Sequence, residues 1–203
     1  MKGLLLKDWY LSVKYARTLL LVSVVFLVLS PFAGDNWFFR LYPSIMIGML
    51  PSTLYSYDER EKWTEYVQSM PVSRALYVTE KYVYGALTIA AYLAVMTILH
   101  LIFGTGSLVA SLEISLSIGL VAPALLLPLL FKFGAEKGRI AYLVLMGGLF
   151  AATLILTNSA GEASLNPGFR FAGLPVWLLF AAVAVIYVLS WRLSVALYQK
   201  REL

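Results

Sequence analysis

Cysteine is absent from the 203 residues, and histidine occurs once, at His100. Without thiols there is no disulfide framework, no thiolate metal site and no cysteine nucleophile. A single histidine cannot build a zinc site, which takes three or four protein ligands. Charge is scarce too: Asp, Glu, Lys and Arg make up 13% of the chain, where a soluble domain carries about 25%. With 61% of its residues hydrophobic, the chain cannot cover a water-facing surface and falls in the membrane class. No charged residue stands near the middle of a long apolar run, so the buried ionisable groups of an intramembrane enzyme or ion-coupled carrier are missing. Glu113 comes nearest, at the start of a run, where a helix dipole stabilises an acid. No G-x-x-x-x-G-K-[ST] phosphate loop occurs either. The reading is therefore no catalytic residue, no metal site and no cofactor on this chain.

What the sequence does contain is apolar runs long enough to cross a bilayer, which takes about 20 residues per helix. Six are predicted, at about 16–33, 37–57, 76–103, 112–131, 139–157 and 175–197. Lysine and arginine concentrate on the cytoplasmic side of membrane proteins. With both termini inside, only Arg40 and Arg170 of the 16 Lys and Arg fall on the outer side. That asymmetry supports six spans and accounts for the net charge of +5 without nucleic acid. The fold class is an all-α membrane protein, residues 1–203 forming one transmembrane domain in a cell membrane. The first run reads as a retained helix and not a cleaved signal, since LSPFAGD offers no small-x-small site.

Ahead of the first span, Leu4, Leu5, Trp9, Val13 and Ala16 are spaced for one helical face, with Lys7 and Lys14 at its polar edge. This suits a helix lying in the interface, or an extension of the first span. Tyr55, Tyr82, Trp191 and Tyr198 fall at inner boundaries, where aromatic rings anchor spans. Pro43, Gly48 and Pro51 interrupt the second run, and Pro123 and Pro128 the fourth. These breaks are either static kinks or hinges for alternating access. Ser111, Ser115 and Gly119 form a small-xxx-small row, fit for close packing inside the chain, for a dimer seam or for a translocation wall.

One stretch holds a disproportionate share of the charge: DEREKWTEY, from Asp58, has six charged residues in nine. Asp58 and Glu61 have capping-box spacing. Trp63, Tyr66, Val67 and Met70 follow i, i+3, i+4, i+7, with Glu59, Arg60, Lys62 and Glu65 around them; Pro71 then stops the helix. Ser73 is placed to cap the third span. A helix this short is marginal alone and must bury its aromatic face, in headgroups or in a partner's groove.

The pattern D-E-x-x-x-W-x-x-Y-x-x-S-x-P-V-S-R-x-x-Y-V-x-x-K-Y, Asp58 to Tyr82, resembles the cytoplasmic loop of ABC-2 type transporter permeases. The similarity is to a small six-helix subfamily that includes exporters of amphipathic peptide toxins and bacteriocin-like peptides. MKGLLLKDWY is similar to that subfamily's start. The resemblance implies a coupling helix between the second and third spans, docked into a separate cytoplasmic ATPase subunit that carries the ATP and Mg. Two permeases, identical or not, join two ATPases. Carried over by position, Asp58, Glu59, Glu61, Lys62, Trp63, Tyr66 and Met70 make the docking surface, while Pro71 and Arg74 fix its exit. The function it implies is the membrane subunit of a two-component exporter in a bacterial cytoplasmic membrane, with an amphipathic or hydrophobic peptide as cargo. The alternative is a non-transporting scaffold that recruits a cytoplasmic partner through the same helix.

Overall fold

The computed structural model describes residues 1–30, 32, 38–69, 72–103, 108–144, 147–148 and 176–200. Among them all regular structure is helical: α1 (Lys2–Tyr15), α2 (Arg17–Leu29), α3 (Phe38–Gly48), α4 (Leu50–Arg60), α5 (Trp63–Gln68), α6 (Arg74–Phe103), α7 (Leu108–Phe133), α8 (135–144) and α9 (Val176–Gln199). Three stretches are long and apolar enough to cross a membrane: Arg74–Phe103, Ser111–Phe133 and Phe180–Gln199. A fourth is added if α1 and α2, bent by 78° at their junction, count as one span.

Six uninterrupted spans are thus not what the described residues show. The second run is broken between α3 and α4, and α2 has 13 residues, about 20 Å of helix. Most of the fifth run, beyond residue 144, lies outside the described residues.

Proline chemistry explains the breaks. Pro51 occupies the first turn of α4, where a missing N–H costs little, so the chain restarts there after Gly48. Pro123 and Pro128 stay inside α7 and deprive the carbonyls four residues earlier of their donors. Those carbonyls belong to Gly119 and Ala124. The first faces Gly48 of α3 so closely that a Cβ there would meet Gly119 O at 2.5 Å. The second accepts a hydrogen bond from Ser190 Oγ of α9. α7 is consequently the centre of the bundle, packed against both α3 and α9.

Serine and tyrosine hydroxyls join the helices elsewhere. Ser44 Oγ of α3 donates to Ser115 O of α7. Tyr82 Oη of α6 lies 2.7 Å from both Ser190 and Ser194 Oγ, and Tyr187 Oη donates to Tyr82 O at 2.7 Å. Tyr55, Tyr82 and Tyr198 are buried, not set in a boundary belt. With Tyr77, Phe131 and Leu127 they form the largest core, at the end of the bundle where the charges gather. Phe131 stacks edge-on against Tyr55 and Tyr198, with centroids 4.8 and 5.3 Å apart. Trp9 and Tyr10 of α1 are exposed.

The inward face of α1 also differs from the apolar stripe. Leu4, Asp8, Ser12 and Ala16, at i, i+4 steps, are buried, whereas Trp9 and Val13 are exposed. The polar residues win the inward position because buried partners await them: Lys81 for Asp8 and Tyr84 for Ser12.

Candidate functional site

The chain between α4 and α6 carries the site residues expected from sequence, and the structure sorts them into three groups. Asp58 belongs to the last turn of α4 and starts no helix, so the capping-box reading fails. Its carboxylate, 2% exposed, turns into the bundle. There it accepts from Lys7 Nζ at 2.7 and 2.8 Å and from Tyr77 Oη at 2.9 Å, and pairs with Lys81 Nζ at 2.7 Å. Four donor hydrogens on one carboxylate compensate its loss of water.

Glu61 ends α4, and Lys62 follows in the left-handed region, at φ 56°. That conformation costs a non-glycine residue on the order of 1 kcal/mol and turns the chain sharply into α5. Glu61 and Lys62 are both exposed. In α5 the expected aromatic face splits. Trp63 is half-buried and packs with Val67 on the aromatic core, while Tyr66 is 54% exposed and stacks on Trp63 at 5.3 Å. Lys7 Nζ sits 4.8 Å above the Trp63 ring, a cation–π contact. Met70 and Pro71 lie outside the described residues. Ser73 Oγ accepts from Leu76 N at 3.2 Å and caps α6, as its position predicts. Arg74 donates to Gln199 O at 3.1 Å, tying the start of α6 to the end of α9.

Glu59 faces the other way. Its carboxylate accepts from Ala135 N, the first N–H of α8, beyond the left-handed turn at Gly134. Between the two elements lies an open groove of about 470 Å³ lined by Ser56, Glu59, Arg60, Gly134, Glu136 and Lys137. The last turn of α4 and the α7–α8 turn are therefore clipped together by a charged hydrogen bond.

Ser111, Ser115 and Gly119 are placed within the chain: Ser111 and Ser115 are buried, and Ser115 and Gly119 lie against Ser44 and Gly48 of α3. The row's tight approach is thus used between α3 and α7 of one molecule.

The residues that sequence reasoning passed over are Lys7, Asp8, Glu80 and Lys81. Lys81 is fully buried, with Nζ 2.6 Å from Asp8 Oδ2 as well as 2.7 Å from Asp58 Oδ2. Burial alone would raise the Asp8 carboxyl, but Lys81 and then Lys7 outweigh it and hold the group below its ordinary value of 3.8. A signal was present: Glu80 and Lys81 stand inside an apolar run, where charges persist only when paired.

The arrangement has no nucleophile poised beside a base and, among the described residues, no set of three or more acids or histidines able to hold a metal ion. It can instead transmit a displacement. The exposed residues Glu61, Lys62 and Tyr66 are anchored through Asp58 and Trp63 to α1 and α6, and through Glu59 to α8. No curated protein and no solved structure matches the chain. The family model described as "ABC-2 family transporter protein" matches residues 3–199. Apolar helices able to span a bilayer and a match over nearly the whole length lead to one statement: this chain belongs to the ABC-2 transporter family, as a membrane-embedded permease.

Proposed function

We propose that the chain is the membrane subunit of a two-component exporter, driven by an ATPase on a separate polypeptide that docks on the exposed strip Glu61, Lys62 and Tyr66. The observation that carries this reading is the division of labour in the loop. One side is pinned to α1 and α6 by a buried carboxylate and a half-buried tryptophan. The other presents an exposed tyrosine ring, an acid and a base. Aromatic anchors with a charged rim are what a partner's groove grips. Asp58, Trp63 and Glu59 then hold the strip in position and do not touch the partner.

In this reading the charged end faces the cytoplasm, and α1 lies in the interface with Leu6, Trp9, Tyr10 and Val13 toward the lipid. Two permeases assemble with two ATPases. A bundle poor in buried charge along its length suits an amphipathic or hydrophobic peptide as cargo.

The test is co-expression with candidate ATPases followed by purification on the permease. The expected result is a stable pair that Tyr66→Ala weakens by about tenfold or more, the effect of losing a contact worth about 1.4 kcal/mol or more. Glu61→Lys weakens it further by charge reversal. Retention of the partner by both variants would reject the assigned surface.

A further inference from the structure

Five ionisable side chains from three helices meet at the charged end of the bundle: Lys7 and Asp8 of α1, Asp58 of α4, and Glu80 and Lys81 of α6. Tyr77 and Tyr84 border them. The cluster belongs to the first two turns of α6, a helix of 30 residues and about 45 Å that exceeds the roughly 30 Å hydrocarbon core. Its lysines are committed. Lys81 pairs with Asp8 and Asp58 at 2.6 and 2.7 Å, and Lys7 gives both its hydrogen bonds to Asp58.

Glu80 is left over. It is 0% exposed, and its nearest cation, Lys81 Nζ, stands 3.6 Å from Oε2, beyond hydrogen-bonding distance. Neither Glu80 oxygen has a hydrogen-bond partner among the described residues, nor does Asp8 Oδ1. Lys7 Nζ is 3.1 Å from that Asp8 oxygen, an ion pair without a hydrogen bond, and makes its hydrogen bonds to Asp58. The two carboxyl groups are neighbours around one ammonium, with Lys81 Nζ 2.6 Å from Asp8 Oδ2 and 3.6 Å from Glu80 Oε2. Ionised, both can only accept. Three carboxylates, each at most 2% exposed, would also face two ammonium groups, and a surplus buried charge is removed by taking up a proton.

We propose that Glu80 is held as a neutral carboxylic acid whose proton is donated to Asp8 Oδ1, forming a carboxyl–carboxylate clasp that locks α1 onto α6. Asp8 is the partner that stays ionised, because Lys81 and Lys7 flank it. The proton satisfies both orphaned groups at once and leaves two ammonium groups facing two carboxylates. It is thus a structural component of the junction where α1, α4 and α6 meet. Removing it would set two like charges against each other across the α1–α6 contact. The clasp is independent of whether the chain couples to an ATPase.

Infrared spectroscopy of the purified full-length chain in lipid nanodiscs tests this. At neutral pH the wild type should show a neutral-carboxyl C=O stretch that shifts in D2O and is absent from Glu80→Gln. Glutamine is isosteric and can donate its amide hydrogen to Asp8, so that variant should keep the wild-type thermal midpoint. Asp8→Asn should also lose the band, because Lys81, freed of Asp8, then pairs with an ionised Glu80. No band in the wild type, or a band that survives Glu80→Gln, overturns the proposal. A band that survives Asp8→Asn overturns the sharing with Asp8. Collapse of Glu80→Gln counts against it as well, since the replacement supplies the hydrogen the clasp is said to need.

Discussion

Lys81 is the residue on which the charged end depends. Its fully buried ammonium satisfies one carboxylate on α1 and another on α4. Replacing it with methionine preserves side-chain bulk but takes the closest cation from Asp8, while Asp58 keeps Lys7 and Tyr77; removing one partner of a buried ion pair costs about 3–5 kcal/mol. Lys81→Met should therefore lower unfolding stability in detergent by about that amount, measured by denaturant titration; a loss under about 1 kcal/mol would mean the pairs are not formed. Asp8 gives the acid-side counterpart. Lys81 and Glu80 of α6, Asp58 of α4 and neighbouring Lys7 all face it, and its carboxyl is held below 3.8. A depressed folded value means the ionised form stabilises the fold at every pH above 3.8, and the contribution is lost as pH falls through the folded value. The gap in thermal midpoint between wild type and Asp8→Asn should stay level from about pH 7 to about pH 5 and close only in stronger acid. A gap already shrinking near about pH 6 would contradict the pairing.

At the scale of helices, the bundle answers Pro128 with a specific neighbour. Pro128 frees Ala124 O, and Ser190 of α9 supplies the donor. Ser190→Ala should thus cost about 1 kcal/mol, in the range of interhelical hydrogen bonds in membranes. In a Pro128→Ala background an N–H returns to α7, so the same substitution should cost less, with only the Tyr82 contact left to lose. The double-mutant cycle reads the coupling directly, and additive effects would separate the serine from the proline. These pairings explain what was legible beforehand. That the prolines and the small row lay in helices followed from run length and spacing. Which carbonyl met which hydroxyl did not, because no local pattern ties Pro128 to Ser190 across 62 positions of chain. The loop shows the same limit. Periodicity put Trp63 and Tyr66 on one helical face, but the bundle takes Trp63 and Val67 inward and leaves Tyr66 outside. Asp58 read as a cap because its spacing to Glu61 fits one, while its real partners, Lys7 and Lys81, arrive from distant parts of the chain.

Across the whole molecule, the charged end is a single connected body. From the exposed Tyr66, contacts run to Trp63, through Lys7 to α1, through Asp58 and Lys81 to α6, and through Glu59 to the α7–α8 turn. A force applied at the strip reaches α1 chiefly through Lys7, which bridges Asp58 and the Trp63 ring. Lys7 can be removed without stranding Asp58, which keeps Lys81 and Tyr77. Lys7→Met should accordingly leave ATPase binding intact under the exporter reading while weakening the mechanical link to α1. The absence of cysteine makes the measurement direct, because spin labels at Tyr10→Cys and Leu193→Cys, both exposed positions, meet no competing thiol. On adding ATP to the assembled complex, the α1–α9 distance should change in the labelled wild type and change by less than half as much in Lys7→Met. An undiminished change would show that α1 is driven from elsewhere, through α6 or α2, and that the Lys7 bridge is only a structural tie.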